Sequence, residues 1–183
     1  MAAMDDMMPL MTRATERTSG LVRAVRHDQF GSPTPCAKFD VKDLINHLEW
    51  VAELFESLGR KGPWVEQGPY GGDFPTRAEG TLAVWSRREA WDGTSPDMGL
   101  PMTTLAHMYL VDMVVHGWDL ARATGQQYEP EPEAVSRALD FTGQMVEMGR
   151  QRGAFGPPVA VPDDAPKLDS LLGVIGRDPA WTP

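Results

Sequence analysis

The chain has 183 residues, 42% hydrophobic and 23% charged, the make-up of one globular domain with its own core rather than of a fibrous, membrane-embedded or disulfide-stapled protein. Its 17 Lys and Arg against 26 Asp and Glu leave a net charge of −9, which opposes phosphate neutralisation, so nucleic acid is not an expected partner. A single cysteine, Cys36, cannot close an intrachain disulfide, and the 4 histidines are too scattered for a Cys/His zinc finger, which fits a reducing cytoplasm.

The opening MAAMDDMMPLM places Asp5 and Asp6 where a secretory signal carries positive charge, and no apolar run nears the ~20 residues of a spanning helix. Neither export nor membrane insertion is expected. Apolar residues recur at helical spacing between Pro- and Gly-rich breaks, and strand signals are sparse.

The first helix is predicted over residues 5 to 27, with Leu10, Ala14, Leu21, Val22 and Val25 inward and Arg13, Arg17, Arg23 and Arg26 mostly outward. Pro33 and Pro35 then interrupt it. Asp40 is a good N-cap for a second helix, whose Val41, Leu44, Ile45, Leu48, Val51, Ala52, Phe55 and Leu58 follow a 3.6-residue period. From Gly59 to Arg77 the chain carries 5 glycines and 3 prolines, a connection long enough to act as a lid, a binding loop or a linker.

A third helix is predicted from Arg77 to Trp91, ending at Asp92-Gly93. The fourth, Met102 to Thr124, is apolar on nearly every side and so should be central, with Gly125 ending it. A fifth runs from Pro132 to Arg152, with Glu131 and Glu133 at its positive end. The bundle then covers about residues 5–152 of one domain, 1–183. From about 153 to 183 follows a Pro-rich arm ending in a short helix, which Asp163 or Asp164 caps with Pro166 in its first turn.

Helix four carries Asp112 and His116 at i, i+4, about 40° apart on one face, among residues that should be buried. Buried polar groups need partners, and two arrangements supply them: a structural Asp–His hydrogen bond, or a divalent metal with a third ligand from another helix. His47 is the evident third ligand, at the edge of helix two's apolar stripe beside Val51 and Leu54. His107 is about 180° around the helix from His116 and faces elsewhere, and His27 complements the end of helix one. Asp119 is an acid behind the ligands, an alternative ligand, or an i, i+3 ion pair with Arg122, of which the ion pair asks least. Trp50 and Trp118 line the same interior if both helices face it. Nucleophile elbows and phosphate-binding loops are missing from the text, and Cys36, in a loop with only Lys38 nearby, is a poor nucleophile.

The runs DVKDLINHLEW (40 to 50), LVDMVVHGWDLARATGQ (110 to 126), FGPPVAVPDDA (155 to 165) and GRDPAW (176 to 181) resemble the DinB-like, mycothiol-dependent maleylpyruvate isomerase N-terminal domain superfamily, most of all its short stand-alone metal-binding proteins. The resemblance implies an all-α, DinB-like four-helix bundle holding a divalent ion, usually zinc, on one early histidine and an acid-x-x-x-histidine pair, here His47, Asp112 and His116. Asp112 stands where the isomerase pattern has glutamate, and Phe39 where relatives often have tryptophan. The isomerase's further C-terminal domain has no counterpart in this text, which makes maleylpyruvate itself a poor choice of substrate.

The expected activity is therefore that of a metal-dependent thiol transferase or isomerase. Three protein ligands leave a position open for a low-molecular-weight thiol, by the resemblance mycothiol, whose thiolate attacks a small electrophile. Asp119 and Arg122 would orient His116 or the substrate from behind, and the 59–77 loop would close over the opening. The alternatives are a hydrolase using a metal-bound water and a non-catalytic binding bundle. A homodimer through helices one and three is compatible with either class.

Overall fold

A computed structural model describes residues 2–183, and all its regular structure is helical: α1 (Ala2–Ala24), α2 (Val41–Gly59), α3 (Phe74–Trp85), α4 (Met102–Thr124), α5 (Pro132–Gln151) and α6 (Lys167–Val174). Among the described residues the extended pairing is limited to two isolated bridges, Pro33 with Asp40 and Thr94 with Pro101. In the bundle, α1 packs on α4, α4 on α2, α2 on α3 and α3 back on α1, so α1 to α4 close a ring around the main core. Helix α5 lies outside this ring against α4, and α6 packs on α5. The four-helix bundle thus closes at α4, and the segment from α5 onward forms a flank beside it.

Local chemistry explains where the helices begin and end. Asp40 accepts the Asp43 amide at 2.8 Å, and Asp43 accepts the Asp40 amide at 3.4 Å, a reciprocal capping box that starts α2. Gly125 ends α4 with φ 69°, a left-handed conformation that costs glycine little. As the sequence predicts, α4 is central: 16 of its 23 residues are buried, including the polar His116 and Asp119.

Helix α1 is shifted toward the N-terminus and is more polar in the core than its pattern implies. It ends at Ala24, short of 27, and His27 belongs to a separate 3-10 turn with its ring stacked on Phe30 at 4.7 Å, so it caps no helix. Met7, Met11, Thr15 and Thr18 join Leu10 inside. Thr18 donates to the Met113 carbonyl at 2.9 Å, and the Thr15 and Tyr109 hydroxyls lie 3.1 Å apart, so hydroxyls stitch α1 to α4.

The third helix is displaced from its predicted place. It starts at Phe74, with Pro75 in the first turn, and stops at Trp85, because the Trp91 indole takes the Trp85 carbonyl at 2.7 Å and turns Arg88–Trp91 into a 3-10 segment. Two side chains fix α3 on α2: Trp85 donates to the Phe55 carbonyl and Thr81 to the Ala52 carbonyl, each at 2.8 Å. Their approach requires glycine at 59, where a Cβ would stand 2.8 Å from Val84 Cγ1 and 2.9 Å from Trp85 Nε1.

The arm also departs from expectation in its cap. Asp163 and Asp164 are exposed in a turn closed from the Ala165 amide to the Pro162 carbonyl, and the N-cap position of α6 is Pro166, which offers no side-chain acceptor. The arm runs back along α6 through the Gly156 amide to the Ile175 carbonyl and the Val159 amide to the Gly173 carbonyl. Arg150 ties both segments to α5 through the carbonyls of Gly156 and Val174. None of the described helices is long and apolar enough to cross a membrane.

Trp85→Ala, which removes a fully buried side chain and its hydrogen bond, lowers stability to urea by about 3–5 kcal/mol. Trp64→Ala, at a residue 40% exposed, changes it by less than about 1 kcal/mol in the same measurement.

Candidate metal centre

His47 projects from α2 and Asp112 and His116 from α4, two adjacent helices of the ring, and one ligand atom from each falls within 4.8 Å of the other two. The His116 Nε2 lies 3.6 Å and the His47 Nε2 4.0 Å from the same oxygen, Asp112 Oδ1. Both separations exceed a hydrogen bond. The structural Asp112–His116 hydrogen bond considered from the sequence is therefore not formed. What His116 does bond is Asp119, through Nδ1 at 2.9 Å.

That contact orders the chemistry of the trio. The ionised Asp119 side chain can only accept, so His116 donates to it from Nδ1 and turns Nε2 toward Asp112. Burial disfavours the charged form of His47 and pulls its pKa below the ordinary value, against the opposite influence of Asp112. Two imidazole nitrogens and a carboxylate oxygen thus converge within 4.8 Å of one another, a donor set of the kind that holds a divalent cation. Donors on a tetrahedral ion with ~2.0–2.1 Å bonds stand roughly 3.3 Å apart, so the trio, at 3.6 and 4.0 Å and all within 4.8 Å, would draw together on binding one.

Asp119 is fully buried, and its role differs from the simplest expectation. It makes no ion pair with Arg122. Instead Arg177, from the turn after α6, grips it with Nε and Nη2, each at 3.0 Å. Burial by itself would raise the Asp119 pKa, but the His116 hydrogen bond and the Arg177 guanidinium outweigh it and hold the carboxyl below its usual range. Arg122 is turned away: it donates to the Pro179 carbonyl at 2.8 Å and lies over the Trp118 ring at 5.6 Å. Neither Trp118 nor Trp50 is part of the cavity wall, although Trp50 stands 5.4 Å from the His47 ring; Phe39, which does line it, stacks on that ring at 5.1 Å. His107, as expected, faces elsewhere, bonded to the Thr103 carbonyl and stacked on Phe141.

The trio opens into a cavity of about 400 Å³ walled by the Pro35–Phe39 segment, by α4, and by the arm from Gly153 to Pro157 and from Ile175 to Arg177. Cys36 is part of the wall but nearly buried, and burial pushes its pKa up, which keeps it a thiol. The long loop before α3 does not reach this cavity. It is fastened to the outer side of α2 by Trp50 Nε1 to the Val65 carbonyl at 2.7 Å and by Glu49, which accepts the Gly71 and Asp73 amides at 2.8 and 2.6 Å. Its glycines and prolines serve this tight backbone course, and the cover expected of residues 59–77 is supplied by the arm.

Arg177 is the residue of this site that the sequence spacing does not single out. Its signal was present: Asp119 on a helix apolar all round needs a cation, and Arg122, one turn on, is not the sole arginine free to reach it. Only the return of the arm across α4 shows which arginine arrives.

Comparison with known proteins adds the family. The model of the mycothiol maleylpyruvate isomerase N-terminal domain matches residues 11–71, a span that contains His47. Uncharacterised proteins from two strains of Mycobacterium tuberculosis are each 32% identical over 190 residues, covering 93% of this chain and 98% of their own. No solved structure matches the chain. With helices alone in the fold and near full-length coverage of its relatives, the chain belongs to the DinB-like family of the mycothiol maleylpyruvate isomerase N-terminal domain.

Proposed function

We propose that the protein is a divalent-metal-dependent thiol transferase or isomerase, with zinc held by His47, Asp112 and His116 and a low-molecular-weight thiol of the mycothiol kind as co-substrate. The observation that carries this reading is the convergence of three electron-pair donors, without hydrogen bonds among them, at the wall of a cavity. When bound there, such an ion supplies Lewis acidity that favours the thiolate of a thiol near neutral pH. The two-nitrogen, one-oxygen donor set suits zinc, and three protein ligands are what catalytic zinc sites use.

The remaining work falls to the chain itself. Asp119 and Arg177 hold His116 in the tautomer that presents Nε2, and Phe39 stacks on His47 and limits its rotation. Val111, Val115 and Phe155 keep one side of the cavity apolar, which excludes water from a thiolate and an electrophile brought together there. A cytoplasmic setting, with its reduced thiols, agrees with the one unpaired cysteine.

Protein purified without added metal contains about one ion per chain by mass spectrometry, and both His47→Ala and His116→Ala lose it while remaining folded by circular dichroism. A wild type that holds no metal and cannot be reloaded overturns the reading. Asp119→Asn, which spares all three ligands, weakens zinc binding about 10- to 100-fold in a competition titration with a chromophoric chelator. Turnover of small electrophiles should require added thiol; turnover that is indifferent to thiol assigns the site to hydrolysis by bound water instead.

A further inference from the structure

Arg177 does more in this geometry than neutralise Asp119. Its backbone amide is tied to the Leu172 carbonyl at 2.8 Å, and the preceding Gly176 turns the chain at φ 89°. A Cβ at Gly176 would stand 2.8 Å from the Pro157 carbonyl oxygen, so the corner is tight and the arginine leaves it in a defined direction. Nε and Nη2 form the fork on Asp119. Nη1, the third nitrogen, has no acceptor among the described residues, is not among the buried polar atoms left without a partner, and belongs to a side chain that lines the cavity.

The guanidinium is therefore positioned from behind, with one nitrogen left without a protein acceptor on a residue that lines the cavity. Lys38 lies on the same wall, with its ammonium on the Gly153 carbonyl at 2.7 Å. The one carboxylate among the lining residues is Asp112, already directed at His47 and His116. Phe39, Val115, Phe155 and Ile175 supply apolar surface between these points. Two cationic donors and an apolar body are complementary to a small organic anion. Since the Arg177 charge is largely balanced by Asp119, what remains is a pair of oriented N–H donors, which suits the single charge of a carboxylate better than a phosphate dianion.

We propose that Arg177 is the specificity-determining residue of this cavity: Nη1, assisted by Lys38, receives the carboxylate of a small substrate whose apolar portion lies along the wall toward the His47–Asp112–His116 trio. This rests on the cavity being the substrate site of the activity proposed above, and it names the substrate class, a small carboxylic acid with an apolar body.

Phenylacetate and phenylacetamide, matched in body and different in charge, test it by calorimetric titration of zinc-loaded protein, with metal content and unfolding temperature recorded on every sample. Wild type binds the acid about tenfold tighter than the amide. Arg177→Lys keeps a cation for Asp119 but removes the free guanidinium edge; it retains zinc at saturation and binds the two compounds within about twofold of each other. Should that variant not fold, wild type stripped of zinc provides the second measurement, in which the preference for the acid persists because Arg177 and not the ion receives it. Equal affinities in wild type, no binding of either compound at millimolar concentration, an undiminished preference in Arg177→Lys, or a preference that vanishes with the zinc each overturns the proposal. A chain that holds no zinc at all fails the metal reading alone, since the acid and amide are still compared on wild type and variant.

Discussion

A single buried carboxylate couples the two halves of this molecule. Asp119, with no exposed surface, accepts from His116 on its own helix and from the Arg177 fork delivered by the C-terminal arm. Such a group is stable inside a protein only when all its partners are present, because removing one leaves an uncompensated buried charge at a cost of about 3–5 kcal/mol. The contact thus fixes the protonated nitrogen of His116, seats the arm against α4, and closes one wall of the cavity. The His47–Asp112–His116 trio, the arm and the cavity depend on the same few atoms.

The ring of α1 to α4 supplies rigidity of a different kind. Adjacent α2 and α4 bring His47 opposite the Asp112–His116 pair, and their relative position is held by apolar side chains of the main core, among them Leu48, Phe55, Leu105 and Tyr109. Around the termini of α1, α2 and α4 a second cluster, with Leu21, Leu44, Ile45 and Leu120, supports the end of the bundle where the site lies. Ligands borne on packed helices keep their geometry better than ligands on loops. Aspartate at 112, where the isomerase pattern has glutamate, suits this arrangement, since its oxygen already lies 3.6 and 4.0 Å from the two imidazole nitrogens.

Membership in the family and near full-length coverage of its mycobacterial relatives bear on the arm as well as the bundle. The family model's match ends at residue 71, before Asp112, His116 and Arg177. The portion that shapes the cavity therefore lies mostly in the second half of the chain, where α4 and the residues after α5 meet.

Much of this was determined by the sequence alone, and for local reasons. The period of α2, its Asp40 cap, the all-round apolarity of α4 and the Gly125 stop are read from side chains a few residues apart, and the i, i+4 spacing places Asp112 and His116 on one face whatever surrounds them. His47 was legible as their third partner because it breaks an apolar stripe. Tertiary structure decided the rest. It ended α3 at Trp85 by sending the Trp91 indole to that carbonyl, drew the loop before α3 onto α2 through Glu49 and Trp50, and capped α6 with Pro166 instead of an aspartate. It also replaced the near neighbour Arg122 by Arg177 as the partner of Asp119, across 58 residues. Sequence spacing ranks partners along one helix, whereas a buried charge is satisfied by whichever cation the packed chain brings within reach, and that depends on contacts made far from either residue.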